Sequence, residues 1–120
     1  MLQSPTVYGG DRMPRPPKCR RVSFLPTITE FRPAGIPTRQ VKTLNLTVEE
    51  LEAIRLKDLV GLDQKLCSEE MAVSRPTFAR VLDRAREKIA RALVEGQAIS
   101  IEGGNYRLSG ETGVDSGDGF

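Results

Sequence analysis

Apolar residues recur every three or four positions between Arg75 and Val94. On a helix of 3.6 residues per turn they share one face. Ser74 is a good N-cap, and Pro76 suits the first turn because its missing N–H would be unpaired there anyway. Gly96 is placed to end the helix. The pattern predicts a helix of about 30 Å, whose expected core residues are Phe78, Val81, Leu82, Ala85 and Ile89.

Two shorter helical patterns precede this helix. Thr47 and Glu50 form a capping box, in which the threonine side chain accepts from the backbone N–H three residues on and the glutamate reaches back. The helix that begins there is expected to end at Gly61. A second helix, over residues 64–71, has Asp63 as its N-cap. The residues expected to face the core are Leu51, Ala53, Ile54, Leu56, Leu59 and Val60 in the first helix, and Leu66, Cys67 and Met71 in the second.

The flanking segments follow no helical period. Residues 22–31 indicate a short strand or a docked loop, and residues 32–37 a turn, because two prolines flank a glycine. Two β segments around Gly103 and Gly104 predict a hairpin, in which the glycine pair forms a plain turn rather than an anion cradle. The chain therefore divides into a disordered leader (1–12), a basic arm with a Pro- and Gly-rich docked segment (13–46), a helical domain (47–96), a short β hairpin (97–108) and a disordered acidic tail (109–120).

Composition narrows the class of protein. The 120 residues are 38% apolar and 5% aromatic with no Trp, which predicts a helical domain built on Leu, Ile, Val and Ala. The chain has no histidine, and Cys19 and Cys67 lie far apart in sequence, which excludes the usual zinc signatures and His-dependent triads. We therefore expect no enzyme, no metal and no other cofactor. Since no apolar run reaches membrane-spanning length, we expect no membrane contact and a cytoplasmic location.

The net charge of +2 conceals an alternation along the chain. Residues 13–42 hold seven Lys/Arg against one Glu, and residues 74–92 hold six against two acids. Residues 47–73 and 93–120 are acidic, with seven and five acids against three and one basic residues. Two basic blocks separated by an acidic one indicate a polyanionic partner. The alternative is that the charges only serve solubility.

A short helix, a turn of three or four residues and a longer basic helix are the parts of a helix-turn-helix. Such a motif needs small residues where the two helices cross, and Cys67 and Ser68 supply them. Glycine is usual in the turn, whereas this chain has Ala72, for which a left-handed conformation costs about 1 kcal/mol. The prediction is a mainly α, three-helix fold with an extended basic N-terminal arm and a short C-terminal β segment. The apolar residues expected around the turn are Met71, Val73, Phe78 and Val81.

Thr77, Arg80 and Arg84 line up on a second face of the third helix. Two arginines four positions apart repel each other by roughly 0.2–0.5 kcal/mol, a cost that a bound anion removes. The alternative is a solvated face on which Asp83 and Glu87 neutralise the neighbouring arginines. We expect the helix to enter the DNA major groove, where an arginine fork matches guanine. The residues expected at base edges are Arg75, Thr77, Arg80 and Arg84, and those expected at phosphates are Gln64, Ser74, Arg15, Lys18, Arg20 and Arg21.

Several motifs resemble those of a small prokaryotic family of uncharacterised, predicted DNA-binding proteins. The matching segments, between Met13 and Tyr106, are MPRPPKCRRVSF, FRPAGIP, LTVEELEAIRLKDLVGL, SRPTFARVLDRAREKIARAL and IEGGNY. The part from Thr47 through the third helix is also similar to region four of bacterial sigma factors. The segment DQKLCSEEMAVS departs from the Ala-rich second helix and Gly turn usual there. The resemblance implies a helix-turn-helix that binds DNA and regulates transcription.

The resulting prediction is a sequence-specific double-stranded DNA-binding protein that regulates transcription and reads the major groove with helix 75–94. The alternative is an adaptor whose basic helix docks on an acidic protein surface, such as that of RNA polymerase. A homodimer is a further expectation, because many helix-turn-helix proteins read two half-sites. Leu93, Ile99 and Ile101 either supply its interface or close the core.

Overall fold

The computed structural model describes residues 19–108, in which three helices and five short strands make a mainly α fold. The predicted leader and acidic tail, together with Arg15 and Lys18 of the arm, lie outside the described residues. The elements are β1 (Arg20–Val22), β2 (Glu30–Phe31), a 3-10 turn (Thr38–Gln40), β3 (Thr43–Leu46), α1 (Val48–Ile54) with a π-helical extension (Arg55–Val60), α2 (Gln64–Glu70), α3 (Arg75–Glu95), β4 (Ala98–Ile101) and β5 (Tyr106–Leu108).

Each helix begins where the sequence predicts. The Thr47 side chain accepts from the Glu50 N–H, and the Glu50 carboxylate accepts from the Thr47 N–H at 2.9 Å, which completes the capping box. The side chains of Asp63 and Ser74 cap α2 and α3 by accepting the N–H three residues on. These bonds satisfy N–H groups that a helix leaves unpaired at its start. Local sequence therefore determines where all three helices begin.

The π-helical extension of α1, Arg55–Val60, ends at the left-handed Gly61. Its hydrogen bonds span five residues instead of four, so the period of 3.6 fails beyond Leu56. Leu59 is 79% exposed and Val60 is 52% exposed. The prediction that Leu59 and Val60 face the core is therefore wrong, although the predicted end of the helix at Gly61 is confirmed.

The strands form two small sheets. β4 lies at the centre of a three-stranded sheet, parallel to β3 and antiparallel to β2. β5 pairs in parallel with β1, with Arg20 beside Tyr106. The hairpin predicted over residues 97–108 is wrong, because β4 and β5 pair with different partners. The described end of the basic arm, Arg20–Val22, is likewise a paired strand rather than a free extended segment.

The loop between β4 and β5 is held by the start of α1. The Val48 N–H donates to the Gly103 carbonyl at 3.1 Å, and the Asn105 N–H donates to Glu49 Oε2 at 3.2 Å. Gly104 has a φ of 111°, and a Cβ there would overlap the Glu49 carboxylate. These contacts turn β5 away from β4. Gly104 is required here because the Glu49 carboxylate packs against its backbone, and the N–H that binds this carboxylate is that of Asn105.

Two adjoining clusters of buried side chains make the core. Leu66 is 44% exposed, so the prediction that it faces the core is wrong: Cys67 and Met71, four residues apart, form the inward face of the short α2. Ile101 is buried and closes the core. The first cluster joins the three helices and contains Ala53, Leu56, Cys67, Met71, Phe78 and Leu82; the second joins the helices to the strands and contains Val22, Leu46, Val48, Ala85 and Ile101.

Candidate nucleic-acid interface

A short connection, residues 71–74, sets α3 against α2. Cys67 and Ser68 are buried on α2, as expected of small residues where two helices pack. Ala72 has a φ of 56°, the left-handed conformation predicted for the turn. Its N–H donates to the Glu69 carbonyl at 3.1 Å. The turn leaves the first residues of α3 at the surface.

Arg21 fixes β1 to the end of α2. Its N–H donates to the Met71 carbonyl at 2.8 Å, and its guanidinium donates to the Glu70 and Glu69 carbonyls at 2.8 and 2.9 Å. A cation is favourable there because the last carbonyls of a helix are unpaired and carry the negative end of its dipole. The Arg21 guanidinium, for which the sequence predicts a phosphate contact, is engaged within the chain in this structure and braces the turn.

A chain of hydrogen bonds runs along the first turns of α3. Ser74 Oγ accepts from the Thr77 N–H at 3.2 Å and donates to Thr77 Oγ1 at 3.0 Å. Arg80 Nη2 donates to the same Thr77 Oγ1 at 3.3 Å. The cap that starts the helix therefore also orients the Arg80 guanidinium. The Ser74 hydroxyl, for which the sequence predicts a phosphate contact, is thus engaged within the chain in this structure.

Arg80 and Arg84 are exposed, and within residues 19–108 neither has an ion-pair partner. Salt pairs along this side of α3 begin only further on, where Arg91 contacts Glu87 at 3.2 Å and Glu95 at 3.3 Å. The alternative of a solvated face with paired charges therefore fits the end of α3 but not its first half.

Arg86 points to another element. It binds Asp58 of the π-helical extension through two hydrogen bonds of 2.6 and 3.1 Å. The bond from the Arg86 guanidinium holds the pKa of the Asp58 carboxyl below its ordinary value. Arg86 thus links α3 to the end of α1.

Arg75 lies apart from the other predicted base contacts. It is the first residue of α3 and precedes Arg84 by nine residues, which is about two and a half turns and puts the two on opposite sides of the helix. The structure therefore brings Thr77, Arg80 and Arg84 together on one side but leaves Arg75 on the other.

Arg20 of β1 joins these three residues. It lines two adjoining grooves beside α3, and Thr77 lines both as well. Ala72 of the turn and Glu69 border the first groove, and the second is bordered by Arg80, Arg84, Glu49 and Glu50. Arg20 Nε is buried and has no hydrogen-bond partner in the described part of the chain. We call Arg20, Thr77, Arg80 and Arg84 the basic face.

Glu50 and Glu52 of α1 are bound within the chain, whereas Glu49 Oε1 is buried and has no hydrogen-bond partner among the described residues. Glu50 binds Lys88 at 2.8 Å, and Glu52 accepts hydrogen bonds from Arg55 and Ser23. Burial by itself raises the pKa of Glu52, but the bonds from Arg55 and Ser23 outweigh it and hold that pKa below its ordinary value. The sequence predicts the capping role of Glu50 but not the ion pairs of Glu50 and Glu52 with Lys88 and Arg55. Glu50 and Glu52 are therefore neutralised by Lys88 and Arg55 and are not available to pair with Arg80 or Arg84.

Gln64 is exposed at the first position of α2, away from both grooves of the basic face. The Asp63 carboxylate caps the same helix end by accepting the Leu66 N–H at 2.8 Å. A carboxylate at these N–H groups opposes a phosphate in the same place. The phosphate contact predicted for Gln64 is therefore unfavourable.

Metal-ligand clusters, thiols and apolar helices are the other features considered in residues 19–108. There, no three or more His, Cys, Asp or Glu side chains are grouped to hold a metal ion. Cys19 and Cys67 are free thiols, and burial raises the pKa of the Cys67 thiol. None of the helices in this region has the length and apolar character needed to cross a membrane.

Comparison with known proteins identifies close relatives. A family model described as "Protein of unknown function DUF134" matches residues 11–109. A UPF0251 protein of Halothermothrix orenii is 63% identical over 97 residues, which cover 81% of this chain and 72% of the relative. UPF0251 proteins of Thermoanaerobacter pseudethanolicus and Moorella thermoacetica are each 60% identical over 82% of this chain, and over 84% and 66% of their own lengths. No solved structure matches the chain.

Proposed function

We propose that this chain, which belongs to the DUF134 family of proteins of unknown function, binds double-stranded DNA and regulates transcription in the cytoplasm. In this proposal α2, the turn and α3 act as a helix-turn-helix, and the first turns of α3 enter the major groove. The unpaired charge of the basic face is the observation that carries the proposal.

The basic face differs from the later turns of α3, where the basic side chains form ion pairs within the fold. Arg20, Arg80 and Arg84 line one groove together with Glu49 and Glu50, and none of the three arginines has an ion-pair partner among the described residues. Glu50 is already bound to Lys88, so three guanidinium groups without ion pairs face the single remaining carboxylate of Glu49, and this excess of positive charge favours an external anion. Arg80 and Arg84 also repel each other until an anion binds. The basic residues of α3 that are neutralised within the fold are Arg86, Lys88 and Arg91.

The residues of the basic face have separate roles in the proposal. Arg80, oriented by Thr77, reads a base edge, and a bidentate contact to guanine discriminates by about 1–3 kcal/mol. Arg84 and Arg20 contact phosphates on the same side of the groove. Arg75, on the opposite side of α3, contacts the other wall of the groove.

The basic arm extends the contact along the DNA. Arg20 is fixed beside α3 because β1 pairs with β5. Arg15 and Lys18, a few residues earlier, then follow the flanking phosphates or enter the adjacent minor groove, as other basic arms do.

Titration of the protein with mixed-sequence duplex DNA at two salt concentrations tests the proposal. Wild-type binding should weaken steeply with salt, because each neutralised phosphate contributes about 0.9 to the slope of log affinity against log salt. The double variant R80A/R84A should lose affinity and part of that slope. R86A is the matched control, because Arg86 is bound to Asp58 and should leave DNA binding unchanged.

Selection of bound sequences from a random DNA pool completes the test. Wild type should enrich a defined site, and R80A should relax the preference at one position of it. Absence of duplex binding, or binding that salt does not weaken, would contradict the proposal. Co-purification with RNA polymerase in the absence of DNA affinity would instead support the adaptor.

A further inference from the structure

The last strand of the fold runs beside the basic face. β5 is parallel to β1, with Tyr106 beside Arg20 and Leu108 beside Val22. Because neighbouring strands lie about 4.8 Å apart, the backbone of β5 passes close to that of Arg20. The chain then continues from Leu108 into residues 109–120, which we call the acidic tail. The tail is therefore attached to the fold next to an arginine of the basic face.

The acidic tail carries charge of one sign. Its sequence, SGETGVDSGDGF, contains Glu111, Asp115 and Asp118 and neither Lys nor Arg. The family model matches the chain as far as residue 109, so the three acids lie outside the matched region. The tail thus adds a local excess of three negative charges to a fold that the family model describes without it.

The basic face has the complementary charge. Its three arginines share their groove with the carboxylate of Glu49, while Glu50 in the same groove is already bound to Lys88 at 2.8 Å. Two positive charges therefore remain in excess there. Arg20 contributes a buried Nε that has no hydrogen-bond partner among residues 19–108. A carboxylate that enters this groove gains both an opposite charge and hydrogen-bond donors.

The acidic tail is long enough to reach this groove. Glu111 follows Leu108 by three residues and Asp118 follows it by ten, which allows about 10 Å and about 33 Å of extended chain. Arg80 and Arg84 lie about 6 Å apart along α3 and line the same groove as Arg20. A tethered segment is present at its site at a concentration on the order of 1 mM, so contacts that are weak between separate molecules become populated.

We infer that the acidic tail folds back onto the basic face and occupies it when no DNA is bound. The inference rests on the proposed function only for its consequence, which is that DNA must displace the tail. Because the tail stabilises the free protein, it lowers the affinity for all DNA sequences by the same factor. This distinguishes the tail from Arg80, which acts on the preference between sequences.

NMR of arginine Nε–H groups in the full chain, at low ionic strength and near neutral pH, tests the contact without DNA. The variant E111Q/D115N/D118N, which we call the neutral-tail variant, removes the three charges and leaves residues 19–108 unchanged. The Nε–H resonances of the basic face should shift between wild type and this variant. Arg86 is the internal control, because it is bound to Asp58 and its resonance should stay in place.

Titration with duplex DNA measures the consequence. At low salt the neutral-tail variant should bind about threefold or more tightly than wild type, because it lacks the tethered competitor. The gain should be equal for a selected site and for random DNA, and it should shrink as salt screens the tail. The matched control is E30Q/E70Q/E95Q, which removes the same number of charges at exposed positions outside both grooves. It should change the affinity by less than about twofold.

The inference is overturned if the resonances of the basic face are the same in wild type and in the neutral-tail variant, whether or not the chain binds DNA. It is equally overturned if E30Q/E70Q/E95Q raises the DNA affinity as much as the neutral-tail variant does, since net charge alone then explains the gain. If the resonances shift but wild type binds no duplex, the contact of the tail is supported and the proposed function fails.

Discussion

Gly104 lies where the loop after β4 crosses the start of α1, and its missing side chain leaves room for the Glu49 carboxylate. A Cβ there would also approach Thr47 Cβ to 2.9 Å, and the φ of 111° is strained for any other residue. G104A should therefore lower the free energy of unfolding by at least about 2 kcal/mol, measured by urea denaturation.

Gly103 is the matched comparison for that measurement. It also has a positive φ, of 74°, but nothing lies within 4 Å of a Cβ built on it. G103A should cost only the conformational strain of about 1 kcal/mol. Equal losses in the two variants would show that strain alone, and not the Glu49 contact, requires the glycine at position 104.

In the proposed complex with DNA, Thr77 orients Arg80 and does not itself contact a base. T77V keeps the shape of the side chain but removes the oxygen that accepts from Arg80, whereas T77S keeps that oxygen. T77V should reduce the preference for the selected site over random DNA several-fold, equivalent to about 1 kcal/mol. T77S should restore it. If T77S were as impaired as T77V, the methyl group rather than the hydrogen bond would carry the effect.

At the scale of elements, the turn between α2 and α3 contains a strained residue. A left-handed alanine costs about 1–2 kcal/mol of strain. Glycine avoids that strain but has more conformational freedom to lose on folding, so the substitution recovers only part of the cost. A72G should therefore raise the free energy of unfolding by about 0.5–1 kcal/mol. In A90G, at an exposed helical position of α3, the same change should lower it by about 1 kcal/mol. Thermal denaturation of both variants compares the two signs.

The elements also separate what local sequence determines from what it does not. Thr47, Asp63 and Ser74 predict the helix starts because a cap bonds to a backbone group three residues away. The pairing of β5 with β1, which joins residues far apart in the chain, leaves no local signal. Leu59 does not face the core as predicted, because the π-helical segment interrupts the helical period of 3.6 residues.

Local sequence likewise predicts one part of the candidate site and not the other. The alignment of Thr77, Arg80 and Arg84 follows from helical periodicity, which also separates Arg75 from them. The position of Arg20 against this side of α3 depends on the long-range pairing of β1, so the sequence could suggest its charge but not its place.

At the scale of the whole molecule, three parts of the chain build the DNA-binding surface that we propose. α3 supplies Thr77, Arg80 and Arg84 of the basic face, α2 and the turn set the orientation of α3, and β1 places Arg20 beside it. The adjacent arginines of β1 contribute in different ways. Arg20 lines the grooves of the basic face, whereas Arg21 is bound to the last carbonyls of α2.

This difference predicts opposite outcomes for two neighbouring substitutions. R20A should weaken binding to all DNA sequences alike and reduce the salt slope by about 0.9, because it removes one phosphate contact. Its effect on unfolding should be small, since Arg20 Nε bonds to nothing among the described residues. R21A should lower the free energy of unfolding by about 1 kcal/mol, because α2 loses the cation at its C-terminus. DNA titrations and urea denaturation of both variants measure the two effects. If R21A reduced the salt slope as much as R20A does, Arg21 would be a phosphate contact as well.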